Sequence, residues 1–295
     1  MPAADTATAP PSAPSKPRDD EIDVHGLTHP GKVRSDNQDQ FLICALSKQI
    51  VVRLTSLPVA DNLMAGAERL AFLAMVADGV GGGNKGATAS QVAVEAVTQY
   101  VTNSMNSYYA ATSADDQEFY DALKAGAARS HAELLRRGQE DPDYRGMATT
   151  LTLYLGVWPR AYLLQVGDSR AYVLRDGELT QITRDQTMAQ ELVDAGVMPA
   201  EVAAGTRLAH TLSSSLGGRQ TDPQVHRLDV TWGNVLLLCS DGLTRHVSDE
   251  QIQDVLRTMR SAEQACEQLL QLALDDGGSD NVTIVVARAI KRQET

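Results

Sequence analysis

Four apolar runs in this sequence meet an aspartate at one end: Val76-Ala77-Asp78-Gly79, Val166-Gly167-Asp168, Leu238-Cys239-Ser240-Asp241-Gly242 and Asp280-Asn281-Val282. Aspartate is disfavoured inside strands. At a strand end beside a glycine turn it is held rigidly while room remains for an ion or a substrate. Carboxylates brought to one sheet edge repel one another until cations neutralise them, and hard oxygen donors without histidine or cysteine suit Mg2+ or Mn2+. A lone Asp-Gly is more often a turn than a ligand, and Asp176-Gly177, between runs 171–175 and 178–183, reads as a two-residue hairpin turn. Four strand-end carboxylates in one chain are harder to assign to turns, so a metal site is expected.

The run Gly79-Val80-Gly81-Gly82-Gly83-Asn84-Lys85-Gly86 precedes a helical pattern, but Asn84 and Gly86 flank Lys85 where a P-loop needs Gly before it and Ser or Thr after it. Its glycines instead let the backbone approach an ion, with the Gly79 carbonyl a candidate ligand. Arg34, in Arg34-Ser35-Asp36-Asn37-Gln38-Asp39, carries a planar fork that could take two phosphate oxygens or pair with a surface carboxylate. The histidines share no ligand spacing, and His246, five residues after Asp241, reads as a surface or loop residue. Ser213-Ser214-Ser215 lacks the strand-turn-helix context of a serine nucleophile. Cys44, Cys239 and Cys266 are odd in number, far apart and set among apolar residues, which excludes a disulfide framework and a thiolate metal cluster. A metal-activated water is then the nucleophile at hand.

Holding such groups requires a rigid frame. Runs 41–46, 70–76, 149–157, 162–166, 235–239 and 282–287 read as strands. Val92, Ala93, Ala96, Val97, Tyr100 and Val101, and then Tyr120, Leu123, Ala127 and Leu134, recur at helical spacing and predict two long stacked helices. Ser248 with Gln251 and Ser261 with Gln264 read as capping boxes opening two further helices, the second ended by Gly277 and Gly278. Antiparallel-looking strands with paired helices predict an α+β layered architecture rather than βαβ units. With 43% hydrophobic positions among 295 residues, the chain can bury a substantial core, and one domain is expected from Glu21 onward. Residues 1–20 hold five of the eleven prolines and predict a disordered tail. The formal net charge of −12 argues against nucleic acid and anionic membranes as partners. No window reaches the ~18 apolar residues of a membrane span, so a cytoplasmic location is expected.

Read in order, the segments 34–39, 78–82, 149–151, 167–170, 240–243 and 279–281 resemble the metal-dependent PP2C-type (PPM) protein phosphatases in their short bacterial form, over about residues 21–290. The resemblance implies a four-layer αββα sandwich of two antiparallel sheets flanked by helix pairs, with metals at one end. It implies two Mn2+ or Mg2+ ions bridged by Asp78, the Gly79 carbonyl on one, and Asp241 and Asp280 completing the other. Asp168 resembles the ligand of a third ion shared with Asp241. Arg34 would hold the substrate phosphate, with Asp39 in support. The implied partners are phosphorylated proteins, the targets of a serine/threonine kinase, acted on by a monomer. Three positions depart from the family: Gln38 stands where Glu is usual and removes a carboxylate that would orient metal waters, Val80 replaces the His of animal members, and Ala148 replaces a Gly. Residues 184–218 resemble the family's mobile flap, with Thr187 and Gln190 capping a short helix ended by Gly196. Two functions follow: hydrolysis of phosphoserine and phosphothreonine at a binuclear or trinuclear metal site, or a catalytically impaired phosphopeptide-binding module of the same fold.

Overall fold

The computed structural model describes residues 15–48, 68–82, 84–108 and 116–291. Residues 1–14 of the expected tail, and Gly83 of the glycine-rich run, lie outside the described residues. Of the remainder of that tail, Pro17 is buried, and the Arg69 guanidinium donates to its carbonyl and pairs with Asp19.

In chain order the strands are β1 (Ile22–His29), β2 (Gln40–Lys48), β3 (Glu68–Ala77), β4 (Gly79–Val80), β5 (Ala148–Thr149), β6 (Leu151–Val157), β7 (Arg160–Val166), β8 (Arg170–Arg175), β9 (Glu178–Gln181), β10 (Gln224–Asp229), β11 (Val235–Cys239) and β12 (Val282–Ala289). The helices are α1 (Lys85–Tyr108), α2 (Asp116–Glu140), α3 (Met188–Asp194), α4 (Ala200–Ala204), α5 (Asp241–Thr244), α6 (Asp249–Thr258) and α7 (Ala262–Asp275). Ten of these strands form two five-stranded sheets, ordered β1-β12-β11-β8-β9 and β10-β7-β6-β3-β2, with every pairing antiparallel.

Strand alternation builds the layers, because successive side chains point to opposite faces. Along β3, Leu73 and Met75 meet Val92, Val97, Leu123 and Leu134 of the helix pair α1 and α2, while Ala74 and Val76 face the other sheet. Along β11, Leu237 and Cys239 meet Ile252, Leu256, Ala265 and Leu269 of α6 and α7, while Leu236 and Leu238 face inward. Strands buried on both faces read as continuous apolar runs, which is why these were legible. The result is the expected four-layer αββα sandwich.

The local signals mostly hold. Asp176 and Gly177 both have positive φ (52° and 84°), the conformation of a tight hairpin turn between β8 and β9. Ser248 and Gln251 form both arms of a capping box. Ser261 accepts from the Gln264 N–H, but the Gln264 amide oxygen takes the Arg260 N–H, so the expected second box is half formed. The run expected as one strand over 149–157 divides at Thr150: Thr149 pairs back to Gly79, and β6 begins at Leu151. Both Thr149 Oγ1 (2.8 Å) and the Thr150 N–H (2.9 Å) donate to the Asp78 carbonyl, and this draws the chain out of line. Strands β1 and β10, at the outer edges of their sheets, were not anticipated from sequence.

Register places the chemistry at one end. Gln40 pairs with Ala77, Val166 with Leu151, Cys239 with Ile284 and Arg170, and His29 with Val282. Asp78, Asp168, Asp241, Asp280 and the 30–39 loop therefore all emerge from the same edge of the sandwich. Among the described residues, no helix is long and apolar enough to cross a membrane.

Candidate active site

Asp78 leaves β3 with its backbone clamped: its N–H donates to Thr150 Oγ1 (2.9 Å), and Thr149 and Thr150 hold its carbonyl. Thr150 Oγ1 in turn contacts Ser169 Oγ (2.7 Å), which ties the Asp78 turn to the segment carrying Asp168. A Cβ on Gly79 would lie 2.1 Å from the Gly86 carbonyl oxygen, so this close return of the chain admits only glycine. Burial, and then the charges of Asp39, Asp241, Asp168 and Asp280, raise the Asp78 pKa well above the carboxylate range. No hydrogen bond reaches its carboxylate among the described residues.

Asp168 is buried beyond the end of β7, and burial, with Asp241 and Asp185 nearby, pushes its pKa up to about 8. Asp241 opens α5, and its pKa is raised mainly by burial, against the pull of Arg245. A Cβ on the adjacent Gly242 would fall 1.9 Å from the Asn281 carbonyl oxygen, so a glycine after Asp241 is what lets α5 sit against the Asp280 turn. Asp280 accepts from Arg34 Nη2 (2.8 Å) and Arg245 Nη1 (2.9 Å) on Oδ2, and from the Asn281 N–H (3.0 Å) on Oδ1. Arg245 also donates through Nη2 to Asp241. Arg34 thus pairs with a carboxylate, as one of its two readings anticipated, while its half-exposed guanidinium keeps an open edge.

Asp39 is buried behind this front, with Oδ2 accepting from Thr283 Oγ1 (2.7 Å) and Oδ1 lacking a hydrogen-bond partner among the described residues. Burial lifts its pKa to about 6; the hydroxyls of Thr283 and Ser240 oppose the shift, while Asp241 and Asp280 add to it. The Gln38 carbonyl accepts from the Gly79 N–H (3.2 Å) and Ser90 Oγ (2.6 Å), and the Gln38 amide packs on Gly86. Among the described residues, no three His, Cys, Asp or Glu side chains are drawn into a ready-made metal cage. What converges is an acidic cluster with two guanidinium groups set into it. Mutually repelling carboxylates, with Asp78 and one Asp39 oxygen lacking hydrogen-bond partners among the described residues, form a donor set that suits hard divalent cations.

Three residues that sequence reasoning left without a role hold the site together. Asn281 accepts from the Gln38 N–H (2.9 Å) and donates to the carbonyls of Asp36 (2.8 Å) and Pro30 (3.0 Å), pinning the Arg34 loop beside Asp280. Its signal was adjacency to Asp280. Arg245 carried the signal of a cation four residues after Asp241, one helical turn away. His246, expected at the surface or in a loop, lies in the turn between α5 and α6, with a largely buried side chain: Nε2 accepts from the Ser279 N–H (2.9 Å), which leaves Nδ1 to donate to Asp276 (2.9 Å).

Beside the cluster, a cleft of about 620 Å3 is lined by Asp168, Asp241 and Arg245 on one side and by Thr187, Gln190 and His210 on the other. The 184–218 segment that forms its far wall is rooted by a forked pair, Arg170 Nε and Nη2 on Asp185 (2.9 and 2.7 Å), and by the Gln186 amide oxygen accepting from the Gly167 N–H (2.7 Å). Thr187 caps α3 by accepting from the Gln190 N–H, and Gly196 follows that helix with φ 68°, as the sequence predicted. The Gln190 side chain turns to Asp194 instead of closing a box.

The family model described as Protein phosphatase 2C matches residues 53–277. The serine/threonine protein phosphatase PstP of Mycobacterium tuberculosis is 39% identical over 234 residues, which are 78% of this chain and 42% of that protein. This chain therefore spans less than half the length of that relative. The serine/threonine phosphatase stp of Listeria welshimeri is 30% identical over 217 residues, covering 72% of this chain and 83% of that one. Among solved structures, M. tuberculosis PstP/Ppp superposes with a TM-score of 0.72 at 32% identity, covering 92% of this chain and 99% of that one. The PstP catalytic domain in complex with two manganese ions superposes with a TM-score of 0.69, at the same identity and coverage. With the matched family model spanning most of the sequence and the sandwich shared with these structures, the chain belongs to the protein phosphatase 2C family.

Proposed function

We propose that this chain hydrolyses phosphoserine and phosphothreonine in proteins, using Mn2+ or Mg2+ held by Asp78, the Gly79 carbonyl, Asp241 and Asp280, with Asp168 available to a third ion. The observation that carries this reading is the gathering, from separate strand ends, of carboxylates that raise one another's pKa around an Asp78 with no hydrogen-bond partner among the described residues. When bound, a pair of such cations supplies Lewis acidity, acidifying a water to a nucleophile and neutralising charge on the phosphoryl oxygens during in-line displacement. The protein's part is positioning. The half-exposed Arg34 guanidinium takes phosphate oxygens. Asn281 keeps the Arg34 loop in register with the carboxylates. Asp39, locked to Thr283, supports the cluster from behind, and the Gln38 amide stands where a carboxylate would bind metal waters more strongly. Exposed Val80 at the mouth has no proton to give, so leaving-group protonation is assigned to water. Residues 184–218 act as a flap over the cleft and contribute to substrate choice. The substrates are proteins phosphorylated by a serine/threonine kinase, and the enzyme works as a monomer.

The relatives named above are serine/threonine phosphatases, and the manganese in the PstP catalytic domain supports the choice of ion. The test is turnover of p-nitrophenyl phosphate and of a phosphothreonine peptide with Mn2+ and after chelation by EDTA. Metal-dependent release of phosphate is expected, and equal activity after thorough chelation refutes the mechanism. A phosphopeptide-binding module with little turnover is the second reading, favoured by Gln38 and by the arginine pairing at Asp241 and Asp280. It predicts calorimetric phosphopeptide binding without hydrolysis in the same samples.

A further inference from the structure

Among the described residues, Arg245 is the cation whose guanidinium bridges two carboxylates of the cluster. It caps the C-terminal end of α5, its N–H bonded to the Asp241 carbonyl, so its side chain is returned over the turn that begins with Asp241. From there the guanidinium forks: Nη2 donates to Asp241 Oδ2, and Nη1 donates to Asp280 Oδ2 at 2.9 Å. Asp241 and Asp280 come from different strand ends, and one planar group spans both. Arg34 adds a second guanidinium on the same Asp280 oxygen, while the other oxygen takes the Asn281 N–H, so both oxygens of Asp280 are engaged. Among the described residues, neither Asp78 nor Asp168 accepts a hydrogen bond from a guanidinium, although the Arg245 charge reaches Asp168.

We propose that Arg245 is a built-in counter-cation of the acidic cluster, competing with the divalent ion for Asp241 and Asp280. This rests on the metal-site reading above and concerns what that site does before an ion arrives. Four converging carboxylates without a cation would strain the folded state, and a guanidinium spanning two of them relieves part of that repulsion. The same lone pairs cannot serve a guanidinium fork and a divalent ion together, since charge-assisted hydrogen bonds and coordination use the same oxygens. Binding a metal through these same oxygens of Asp241 and Asp280 therefore requires the guanidinium to withdraw. The adjacent cleft of about 620 Å3, which Arg245 itself lines with Thr244, His246 and Ser279, is the space that receives it. The chain's affinity for its ion is thereby set below what its carboxylates alone would give, while the metal-free protein gains stability.

The experiment is isothermal titration of metal-stripped protein with Mn2+, alongside thermal unfolding with and without the ion, for the wild type, R245Q and R245K. R245Q keeps a polar but shorter side chain without charge, and it should bind Mn2+ about tenfold more tightly, the change expected when one charge-assisted pair no longer has to be broken. Its metal-free melting temperature should fall while its Mn2+-induced rise in melting temperature grows. R245K retains the charge but lacks the fork that spans two carboxylates, so its affinity should lie between the other two. Equal or weaker Mn2+ binding by R245Q, in protein that still unfolds cooperatively, overturns the competition while leaving the metal site intact. Failure of the wild type and both variants to bind millimolar Mn2+ overturns the metal-site reading and the competition with it.

Discussion

At the scale of single residues, function and stability pull in opposite directions. Asp78 is a charge opposed by burial and by four neighbouring carboxylates, with nothing among the described residues to hydrogen-bond it. Replacing it with Asn removes that charge and keeps the shape. Asp78→Asn should therefore raise the melting temperature of the metal-free protein while lowering turnover at saturating Mn2+ beyond the about 10- to 100-fold typical of losing a group one step removed from the metal. Calorimetry and p-nitrophenyl phosphate kinetics on the same preparation check both halves, and near-wild-type turnover contradicts the assignment. Asn281 poses the complementary case. Asn281→Ala leaves the Gln38 N–H and the Asp36 and Pro30 carbonyls without the partner they now have. A buried hydrogen bond contributes about 1 kcal/mol net, so the loss of three should destabilise the fold measurably in urea. Freeing the Arg34 loop should also raise KM for a phosphopeptide more than it lowers kcat, since the role proposed for Arg34 is in binding. An unchanged KM would separate the loop from substrate recognition.

At the scale of elements, side chains at helix ends tie the outer layers to the sheets. Asp116, the first residue of α2, accepts from Tyr162 Oη (2.6 Å) and Arg160 (3.1 Å) of β7 and from Arg227 (2.8 Å) of β10. The Tyr162 hydroxyl first, and then Arg227 and Arg160, hold its pKa below the ordinary carboxylate value of 3.8. A carboxylate lowered on folding contributes stability that is present in full above its unfolded pKa and is lost as pH falls through the lower folded value. Asp116→Asn should thus cost on the order of 1 kcal/mol at pH 7, the partial solvent exposure of these pairs limiting the effect. The difference from wild type should vanish in acid, below the folded pKa. Urea unfolding at neutral and strongly acidic pH checks this, and a pH-independent difference would mean that packing, and not charge, anchors α2.

At the scale of the whole molecule, one end of the sandwich stores electrostatic repulsion that the apolar layers restrain. A ligand that binds only the folded chain stabilises it in proportion to the logarithm of its concentration over its dissociation constant. Mn2+ should accordingly raise the melting temperature stepwise with concentration, EDTA should reverse the rise, and Asp241→Asn should blunt it. A melting temperature indifferent to Mn2+ would argue against a cation site at this end.

The sequence alone determined the parts whose signals are local. Strands β3, β7, β11 and β12 were legible because they are buried on both faces and read as unbroken apolar runs, and α1, α2, α6 and α7 because one stripe of each is buried. The Asp176-Gly177 turn and the Ser248 cap were legible because each depends on two to four adjacent residues. The strand-end aspartates stood out because their side chains do not belong inside strands. Edge strands β1 and β10 were not legible, since a strand paired on one side tolerates Asp23, His25 and Arg227 and loses the apolar signature. Nor was the division at Thr150, which comes from hydrogen bonds to Asp78, 71 and 72 residues away in sequence. Only the tertiary structure decided that Arg245 spans Asp241 and Asp280, that Asn281 fastens the Arg34 loop, and that Asp39 lies buried with one oxygen unpaired among the described residues. Those facts depend on which strand ends share an edge, and that is set by the pairing of strands distant in sequence, not by any pattern within one of them.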